Sequence, residues 1–347
     1  MEILLGKTLE ELQAVALSVG LQKFAGKQLA DWLYVKRVTT IDEMTNISLK
    51  AREALKAQYT IGRSLPVATA ESVDGTKKYL FQVGEQYIES VFIPEEDRAT
   101  LCVSTQAGCK MGCRFCMTGT LGFHGQLTAA DILNQIFTVN ALNADVLTNI
   151  VYMGEGEPMD NIDHVLRSLD IMCAPYACAW SPKRITVSSV GVIPGLKRLL
   201  SESDVHVAIS LHNPFPEERR EIMPAEKMYP ITEVVALLKQ YDFSHQRRVS
   251  FEYICWGHTN DSQRHATELL RLLKGLDCRI NLIRFHAGVE QERPDDESRR
   301  FPGSNERQMT WLRDYLTDHG ITTTIRRSRG EDILAACGML AGQQSRS

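Results

Sequence analysis

From residue 99 onward, strand-like and helix-like segments alternate along the chain, and this alternation constrains the fold more than any other feature. Seven short apolar runs have the length and composition of strands: Thr100–Ser104, Asn149–Met153, Ile185–Ser189, Val205–Leu211, Val249–Ile254, Ile280–Ile283 and Thr322–Ile325. Amphipathic segments of helical period lie between them: Ala129–Asn143, Asp163–Met172, Pro194–Leu200, Ile231–Tyr241, Ser262–Leu273 and Glu306–Asp318. Repeated strand–helix units predict an α/β fold with a parallel sheet and with ligands at the carboxyl ends of the strands.

The residues before this region follow two other patterns. In residues 1–65, apolar side chains recur at spacings of three and four, which predicts short helices. Between Leu21 and Arg63, eight Lys and Arg outnumber four Asp and Glu. These residues would give the helices a basic face, which is either a solvated charged surface or a surface that contacts phosphates. Residues 66–98 change to a period of two, which predicts two or three antiparallel strands connecting to the region 99–340. Residues 341–347 are small and polar and predict a frayed tail.

Composition excludes several classes of protein. The net charge of −4 provides no broad basic field, so a nucleic-acid partner would have to be held by local patches. No charged segment followed by a long apolar one opens the chain, and no run of apolar residues is long enough to span a membrane, which favours a cytoplasmic protein. The nine cysteines are unevenly placed, with four between residues 102 and 116, which argues against a secreted disulfide framework.

The segment from Cys109 to Cys116 places three thiols at spacings of four and three. Gly108 and Gly112 allow the tight turns that bring Cys109, Cys113 and Cys116 towards one inorganic centre. An iron–sulfur cubane held by only three thiolates leaves one iron open to a substrate or cofactor. This spacing resembles the signature of the radical S-adenosylmethionine (SAM) superfamily, in which the open iron chelates SAM. The alternative is structural zinc with His124 as the fourth ligand.

Polar or glycine-rich residues follow several of the predicted strands. Gly156 and Glu157 come after the second strand, where a carboxylate can accept the SAM ammonium. Ser188 lies at the end of the third strand, and the fourth ends in Ser210-Leu211-His212. Hydroxyl and imidazole groups suit ribose and methionyl oxygens, although each alone is more often a satisfied loop group.

Two further cysteines have informative surroundings. Cys102 precedes the three-cysteine loop, and Cys337 follows Arg326, Arg327 and Arg329. Arginines can lower the pKa of a thiol and can bind phosphates, so a thiolate beside nucleic acid is one interpretation. Burial as an inert apolar side chain is the other.

Taken together, these motifs resemble the radical-SAM methyl synthases that methylate adenine in ribosomal RNA. The resemblance is carried by an ordered set that spans nearly the whole chain: Phe24-Ala-Gly-Lys-Gln, Cys102, the three-cysteine loop, Gly154-Glu-Gly-Glu-Pro, Ser210-Leu-His, Asn281-Leu-Ile and Arg329-Gly-Glu-Asp-Ile-Leu-Ala-Ala-Cys-Gly. It is closer to the branch that acts on carbon 2 of adenine, in 23S rRNA and tRNA, than to the antibiotic-resistance branch that acts on carbon 8. The resemblance implies a partial parallel (β/α)6 radical-SAM barrel and an RNA-binding role for residues 1–65.

The resemblance also implies a role for each matching residue. The [4Fe–4S] cluster would be held by Cys109, Cys113 and Cys116. The SAM site would be lined by Gly156, Glu157, Ser188, Ser210, Leu211, His212 and His286. Cys337 would take a methyl group from a first SAM, and a radical derived from a second SAM would activate that methyl group for addition to the adenine ring.

The same scheme implies how the product is released and which partners are needed. Glu89 would remove the ring proton, and Cys102 would attack the Cys337 sulfur, resolving a covalent RNA intermediate and leaving a disulfide bond. Resetting the thiols requires a reductant, and the cluster requires an electron-donor protein. A radical-SAM enzyme with a non-RNA substrate is the alternative. Two residues depart from the family pattern, since Glu155 stands in place of methionine and His286 in place of asparagine.

Overall fold

The computed structural model describes residues 1–244, 247–285, 302–336 and 338–340. Its first part is a helical module, as the sequence predicts. The elements of the module are β1 (Glu2–Ile3), α1 (Leu9–Ser18), α2 (Ala25–Ala30), α3 (Leu49–Gln58) and β2 (Tyr59–Thr60). Thr8 caps α1 through a reciprocal pair of hydrogen bonds with Glu11. The parallel pairing of β1 with β2 joins the two ends of the module.

The residues between the module and the barrel form three antiparallel strands, β3 (Ala68–Glu71), β4 (Lys77–Val83) and β5 (Gln86–Pro94). β5 also pairs in antiparallel fashion with β6 (Ala99–Cys102), the first strand of the barrel. The three strands therefore extend the main sheet. The period of two predicts the strands themselves, and the pairing of β5 with β6 is a local hairpin that turns at residues 95–98.

The remaining elements continue the alternation that the sequence predicts. In chain order they are β7 (Gln106–Gly108), α4 (Met117–Leu121), β8 (Phe123–Gln126), α5 (Ala129–Leu142), β9 (Asn149–Tyr152), α6 (Ile162–Cys173), β10 (Ile185–Ser189), α7 (Ile193–Glu202), β11 (His206–Ser210), α8 (Pro216–Ile222), α9 (Ile231–Leu238), β12 (Val249–Cys255), α10 (Gln263–Leu273), β13 (Arg279–Arg284), α11 (Glu306–Asp318) and β14 (Thr322–Ile325). All seven predicted strands and all six predicted helices are present, with small differences at their ends.

The main sheet has ten strands in the order β14-β13-β12-β11-β10-β9-β6-β5-β4-β3. The seven strands from β6 to β14 in this sheet are parallel, and helices make each of the six crossovers between them. This arrangement confirms a partial (β/α)6 barrel, followed here by a seventh strand. The carboxyl ends of the parallel strands lie at one edge, where such folds bind ligands.

The core lies between the sheet and its helices. Strand residues such as Leu101, Ile150, Val187 and Phe251 have no exposed surface. Their apolar runs carry little alternation because a parallel sheet is covered on both faces. Within the described ranges, the helices are all too short or too polar to cross a lipid bilayer.

Candidate active site

An open cleft with a volume of about 150 Å³ lies at the carboxyl ends of the parallel strands. Eight of the residues predicted from sequence to bind the cluster or SAM line this cleft: Cys109, Cys113, Cys116, Gly156, Glu157, Ser188, Ser210 and His212. They come from the cysteine loop and from the ends of three neighbouring strands. The fold thus brings together groups that are more than a hundred residues apart in the chain.

The cysteine loop connects β7 to α4. Its entry turns sharply at Gly108, which has a φ of +70°, and a Cβ atom there would lie 2.0 Å from the carbonyl oxygen of Gly122. The Cys109 N–H donates to that same carbonyl oxygen at 2.9 Å. Only glycine fits this close approach of two backbone segments.

Backbone N–H groups point at two of the three sulfur atoms. The N–H of Met111 donates to the thiol of Cys109, and the N–H groups of Thr118 and Gly119 donate to the thiol of Cys116. Burial raises the pKa of the Cys109 thiol to about 12, while the hydrogen bond from Met111 acts in the opposite direction. Such N–H donors stabilise negative charge on sulfur and suit thiolates that bind a cluster.

The donor set fits an iron–sulfur cluster better than a single metal ion. In the part of the chain that the structure describes, no three His, Cys, Asp or Glu side chains are placed to hold one ion together. In a cubane each thiolate binds a separate iron, so the sulfur atoms need not meet at one point. His124, the fourth ligand in the zinc alternative, is exposed, and its Nε2 lies 3.1 Å from the carbonyl oxygen of Leu121. The zinc alternative therefore lacks its ligand geometry.

Glu157 is the buried carboxylate on the wall of the cleft. Its two oxygens accept the backbone N–H groups of Met159 at 3.0 Å and Val190 at 2.9 Å, which fix its orientation. Burial raises its pKa to about 7, against the effect of these hydrogen bonds. Gly156 precedes it with a φ of +98°, and a Cβ atom there would lie 2.5 Å from the Gln106 side chain. The turn is therefore built to hold a carboxylate against the cleft.

Glu155 belongs to the same turn but faces the opposite direction. Its Oε1 accepts the backbone N–H of Glu89 at 2.8 Å, and it is not among the residues that line the cleft. Burial raises the pKa of Glu155 to about 8, and the negative charge of Glu89 adds to this effect. The departure from the family pattern therefore adds no second carboxylate to the lining of the cleft.

His212 lies two residues after β11 and is buried in a left-handed conformation, with a φ of +56°. Its Nδ1 accepts the backbone N–H of Ile254 at 3.1 Å. Burial lowers the pKa of His212 to about 3, and the charge of Arg219 lowers it further. The imidazole is therefore neutral near pH 7 with its proton on Nε2, where it can donate one hydrogen bond. Its neighbour Leu211 is fully buried and does not line the cleft.

Two functional residues of this region escaped the sequence analysis. Glu252, on β12, lines the cleft, and its carboxylate accepts from the Asn281 side chain at 2.7 Å. Burial raises the pKa of Glu252, while the Arg326 guanidinium 3.9 Å away acts against this. An acidic residue inside an otherwise apolar strand is a signal that could have identified it.

Arg219 is the second residue that was missed. Its guanidinium donates to the carbonyl oxygens of Val190, Ser210 and Leu211 at 2.8 to 3.0 Å, and it is paired with Glu226. It is fully buried and ties the end of β10 to the end of β11. In the sequence it belongs to Pro-Glu-Glu-Arg-Arg, a pattern typical of an exposed helix.

Glu89 and Cys102, two of the residues predicted to act on RNA, lie on one face of the sheet. Val91 pairs with Cys102 across β5 and β6, and Glu89 lies two residues away on the same face. Val91 packs with Ala335 and Leu340 in a small apolar cluster that Cys102 also contacts. These contacts place the C-terminal segment over Glu89 and Cys102.

Cys337 and His286 lie outside the described residues. The neighbour of Cys337, Gly338, lines the cleft, and its carbonyl oxygen accepts the Met117 N–H at 2.7 Å. Of the described residues on either side of Cys337, Gly338 therefore lines the cleft and Ala335 packs on the face with Cys102. Among the eight cysteines that the structure describes, no two are joined by a disulfide.

The basic face of the helical module is partly neutralised. Arg37 pairs with Asp145 at 2.7 Å, and Lys36 lies 3.5 Å from the ring centroid of Trp32. Lys23 and Lys27 are exposed. Both interpretations of this face remain predictions, since the free cations could contact phosphates or only water.

Two family models match the chain. The model of the radical SAM superfamily matches residues 103–273. The model of the ribosomal RNA large subunit methyltransferase N-terminal domain matches residues 3–61. The two matches fall on the barrel and on the helical module respectively.

Similar proteins cover almost the whole chain. A Bacteroides fragilis protein described as “Probable dual-specificity RNA methyltransferase RlmN” is 59% identical over 341 residues, which are 97% of this chain and 96% of that protein. The “Dual-specificity RNA methyltransferase RlmN” of Syntrophotalea carbinolica is 38% identical over 338 residues, covering 97% and 88%. The crystal structure of a radical SAM methyltransferase from Sphaerobacter thermophilus has a TM-score of 0.90 at 35% identity, and the match covers 99% of this chain and 100% of that one.

Proposed function

The chain belongs to the RlmN family of dual-specificity RNA methyltransferases within the radical SAM superfamily, and on that premise we propose that it methylates carbon 2 of an adenosine in 23S rRNA and in tRNA. The observation that carries the proposal is the cleft, which combines the three predicted cluster cysteines with Glu157 and His212. Gly338, next to the predicted methyl carrier, lines the same cleft. Methyl donor and methyl carrier would thus share one space.

The walls of the cleft suit SAM. Cys109, Cys113 and Cys116 would hold a [4Fe–4S] cluster, which when bound supplies the electron that cleaves SAM reductively. Glu157 would accept the SAM ammonium, because its carboxylate is held in place by backbone donors. Ser188, Ser210 and the Nε2–H of His212 would bind the polar groups of the ribose and the methionyl part. His286 would add a further contact.

The chemistry of adenine explains why further residues are needed. Carbon 2 of adenine is electron-poor and has no acidic proton, so direct transfer from SAM lacks a nucleophile. Cys337 would carry a methyl group and, after loss of a hydrogen atom, present it to carbon 2 as a methylene radical. Glu89 would then accept the proton from carbon 2. Cys102 would attack the sulfur of Cys337 and release the methylated RNA.

The helical module would bind structured RNA by shape and through its exposed lysines. The target adenine would leave its stack to reach the cleft, as a buried reaction site requires. A cytoplasmic location and an electron-donor protein are part of the same proposal, since rRNA, tRNA and reductant are found together there.

The test is mass spectrometry of nucleosides from 23S rRNA and tRNA after incubation with anaerobically reconstituted protein, SAM and reductant. We expect 2-methyladenosine with the wild-type protein and none with Cys337→Ala. Formation of 8-methyladenosine would move the chain to the other branch of the resemblance. SAM cleavage without any methylated adenine would overturn the RNA substrate.

A further inference from the structure

We propose that Lys78 is a positioning residue that holds the Glu89 carboxylate and the Cys337-bearing segment together during removal of the ring proton. The proposal rests on the function proposed above and assigns a role to a residue that neither the motifs nor the family resemblance single out. Its evidence is a pair of contacts made by one ammonium group.

Lys78 contacts both partners at once. Its Nζ lies 3.0 Å from Oε1 of Glu89 and donates to the carbonyl oxygen of Leu334 at 3.4 Å. The side chains of Lys78 and Glu89 are 16% and 5% exposed, so the ion pair is largely shielded from water. Leu334 lies three residues before Cys337 in the chain. One group therefore bridges the predicted proton acceptor and the segment that would carry the methyl group.

The register of the sheet explains how Lys78 reaches Glu89. Across β4 and β5, Lys78 lies opposite Val91, and Leu80 lies opposite Glu89. Opposite residues point to the same face, and a long side chain reaches its diagonal neighbour on the adjacent strand. Lys78 and Glu89 therefore share the face on which the C-terminal segment packs.

The C-terminal segment is fixed on the hairpin turn before it meets Lys78. The Asp332 carboxylate accepts from the hydroxyl of Ser72 at 2.6 Å and from the backbone N–H of Val73 at 3.2 Å. Two residues later, Leu334 has a φ of +53°, a left-handed conformation that is unfavourable for any residue with a β-carbon. The Lys78 contact is thus a second anchor of this segment, three residues before Cys337.

The step that this arrangement serves is a proton transfer. The C2–H bond of the adenine adduct breaks, an O–H bond forms on Glu89, and the bonding electron pair stays with the ring, whose unpaired electron would pass to the oxidised iron–sulfur cluster. The carboxylate must approach C2 while the carbon attached to Cys337 is bonded to that same atom. The Lys78 bridge restricts the Glu89 carboxylate and the segment that carries Cys337 to one relative geometry. Fixing the orientation of reacting groups in this way raises the rate of the step.

The test compares Lys78→Met with Lys78→Arg in the reconstituted full-length enzyme. Lys77→Met is the matched control, because Lys77 is adjacent and its ion pair with Glu71 is long, at 3.8 Å. Three products are measured: methylated Cys337, the covalent protein–RNA adduct and 2-methyladenosine. Methylation of Cys337 precedes the proton transfer, so a defect confined to positioning leaves it unchanged.

We expect Lys78→Met to form 2-methyladenosine about tenfold more slowly or worse, and to accumulate the covalent adduct. Lys78→Arg should restore turnover in large part because it keeps a positive charge with several donors. Wild-type turnover in Lys78→Met, or an equal loss of Cys337 methylation and product, would overturn the proposal. Absence of 2-methyladenosine with the wild-type enzyme would instead overturn the proposed function, and this proposal with it.

Discussion

The backbone N–H of Glu89 donates to Oε1 of Glu155 across 2.8 Å, and both residues are buried. The bond joins β5, which carries the predicted proton acceptor, to the turn after β9, which carries Glu157. The two carboxylates of that turn therefore serve different neighbours, one the strand and the other the cleft. Displacement of the turn would therefore move Glu157 in the cleft and strand β5 with Glu89.

Replacement of Glu155 by glutamine should change how stability depends on pH. The pKa of Glu155 is raised to about 8 by burial and by Glu89. A raised pKa stabilises the fold below the unfolded-state pKa, and this stabilisation is lost as the pH rises towards 8. Between about pH 5 and about pH 8, the free energy of unfolding of the wild type should fall relative to Glu155→Gln, on the order of a few kcal/mol.

Urea unfolding at several pH values checks this prediction. Glu202→Gln is the control, because Glu202 is exposed and pairs along its own helix with Arg198. If the free energy of unfolding has the same pH dependence in the wild type and in Glu155→Gln, titration of Glu155 makes no contribution to stability and the prediction is wrong.

Replacement of Glu157 by glutamine should weaken SAM binding. The change removes the negative charge and directs an N–H group at a backbone donor, Met159 or Val190. A lost charged hydrogen bond corresponds to a dissociation constant about 10 to 100 times higher. Equilibrium dialysis of SAM against the reconstituted protein measures the effect, with exposed Asp163→Asn as the control. Unchanged affinity in Glu157→Gln would remove this carboxylate from the SAM site.

Replacement of Arg219 by methionine should destabilise the fold. The change leaves Glu226 as a buried charge without its cationic partner and removes one donor from each of the carbonyl oxygens of Val190, Ser210 and Leu211. The free energy of unfolding should fall by about 3 to 5 kcal/mol. Adding Glu226→Gln should restore part of this loss, since it removes the unpaired charge. Urea unfolding of the single and double variants measures both effects, and strictly additive losses would contradict the coupling.

The three loop cysteines should bind iron and sulfide rather than zinc. We expect the reconstituted wild type to contain both elements and Cys113→Ala to lose most of them, because two thiolates cannot hold a cubane firmly. Cys173→Ala is the control, since Cys173 lies at the end of α6, away from the loop. Elemental analysis measures iron, sulfide and zinc, and a stoichiometric zinc content without sulfide would favour the alternative site.

Much of the fold follows from local patterns. The apolar runs at Ile185–Ser189 and Val249–Cys255 identify strands because a strand is short and buried on both faces. The ends of such strands locate the cleft, so Ser188 and Ser210 could be predicted to face one ligand. These inferences need only the local sequence of each strand and the rule that parallel sheets bind ligands at the carboxyl ends of their strands.

The parts that escaped prediction depend on distant partners. The burial of Arg219 is possible only because Glu226 and the ends of two strands surround it, and no local pattern reports such a set. The contact between Lys78 and Leu334 joins residues 256 apart.

The C-terminal anchors have a consequence for synthesis of the chain. Asp332 binds Ser72 across 260 residues, and the carbonyl oxygen of Leu340 accepts from Thr118 across 222 residues. A chain emerges from the ribosome N-terminus first, so the other residues that line the cleft are synthesised before Gly338 is. On the proposed mechanism, a chain that stops before Cys337 would lack the methyl carrier and would not methylate RNA.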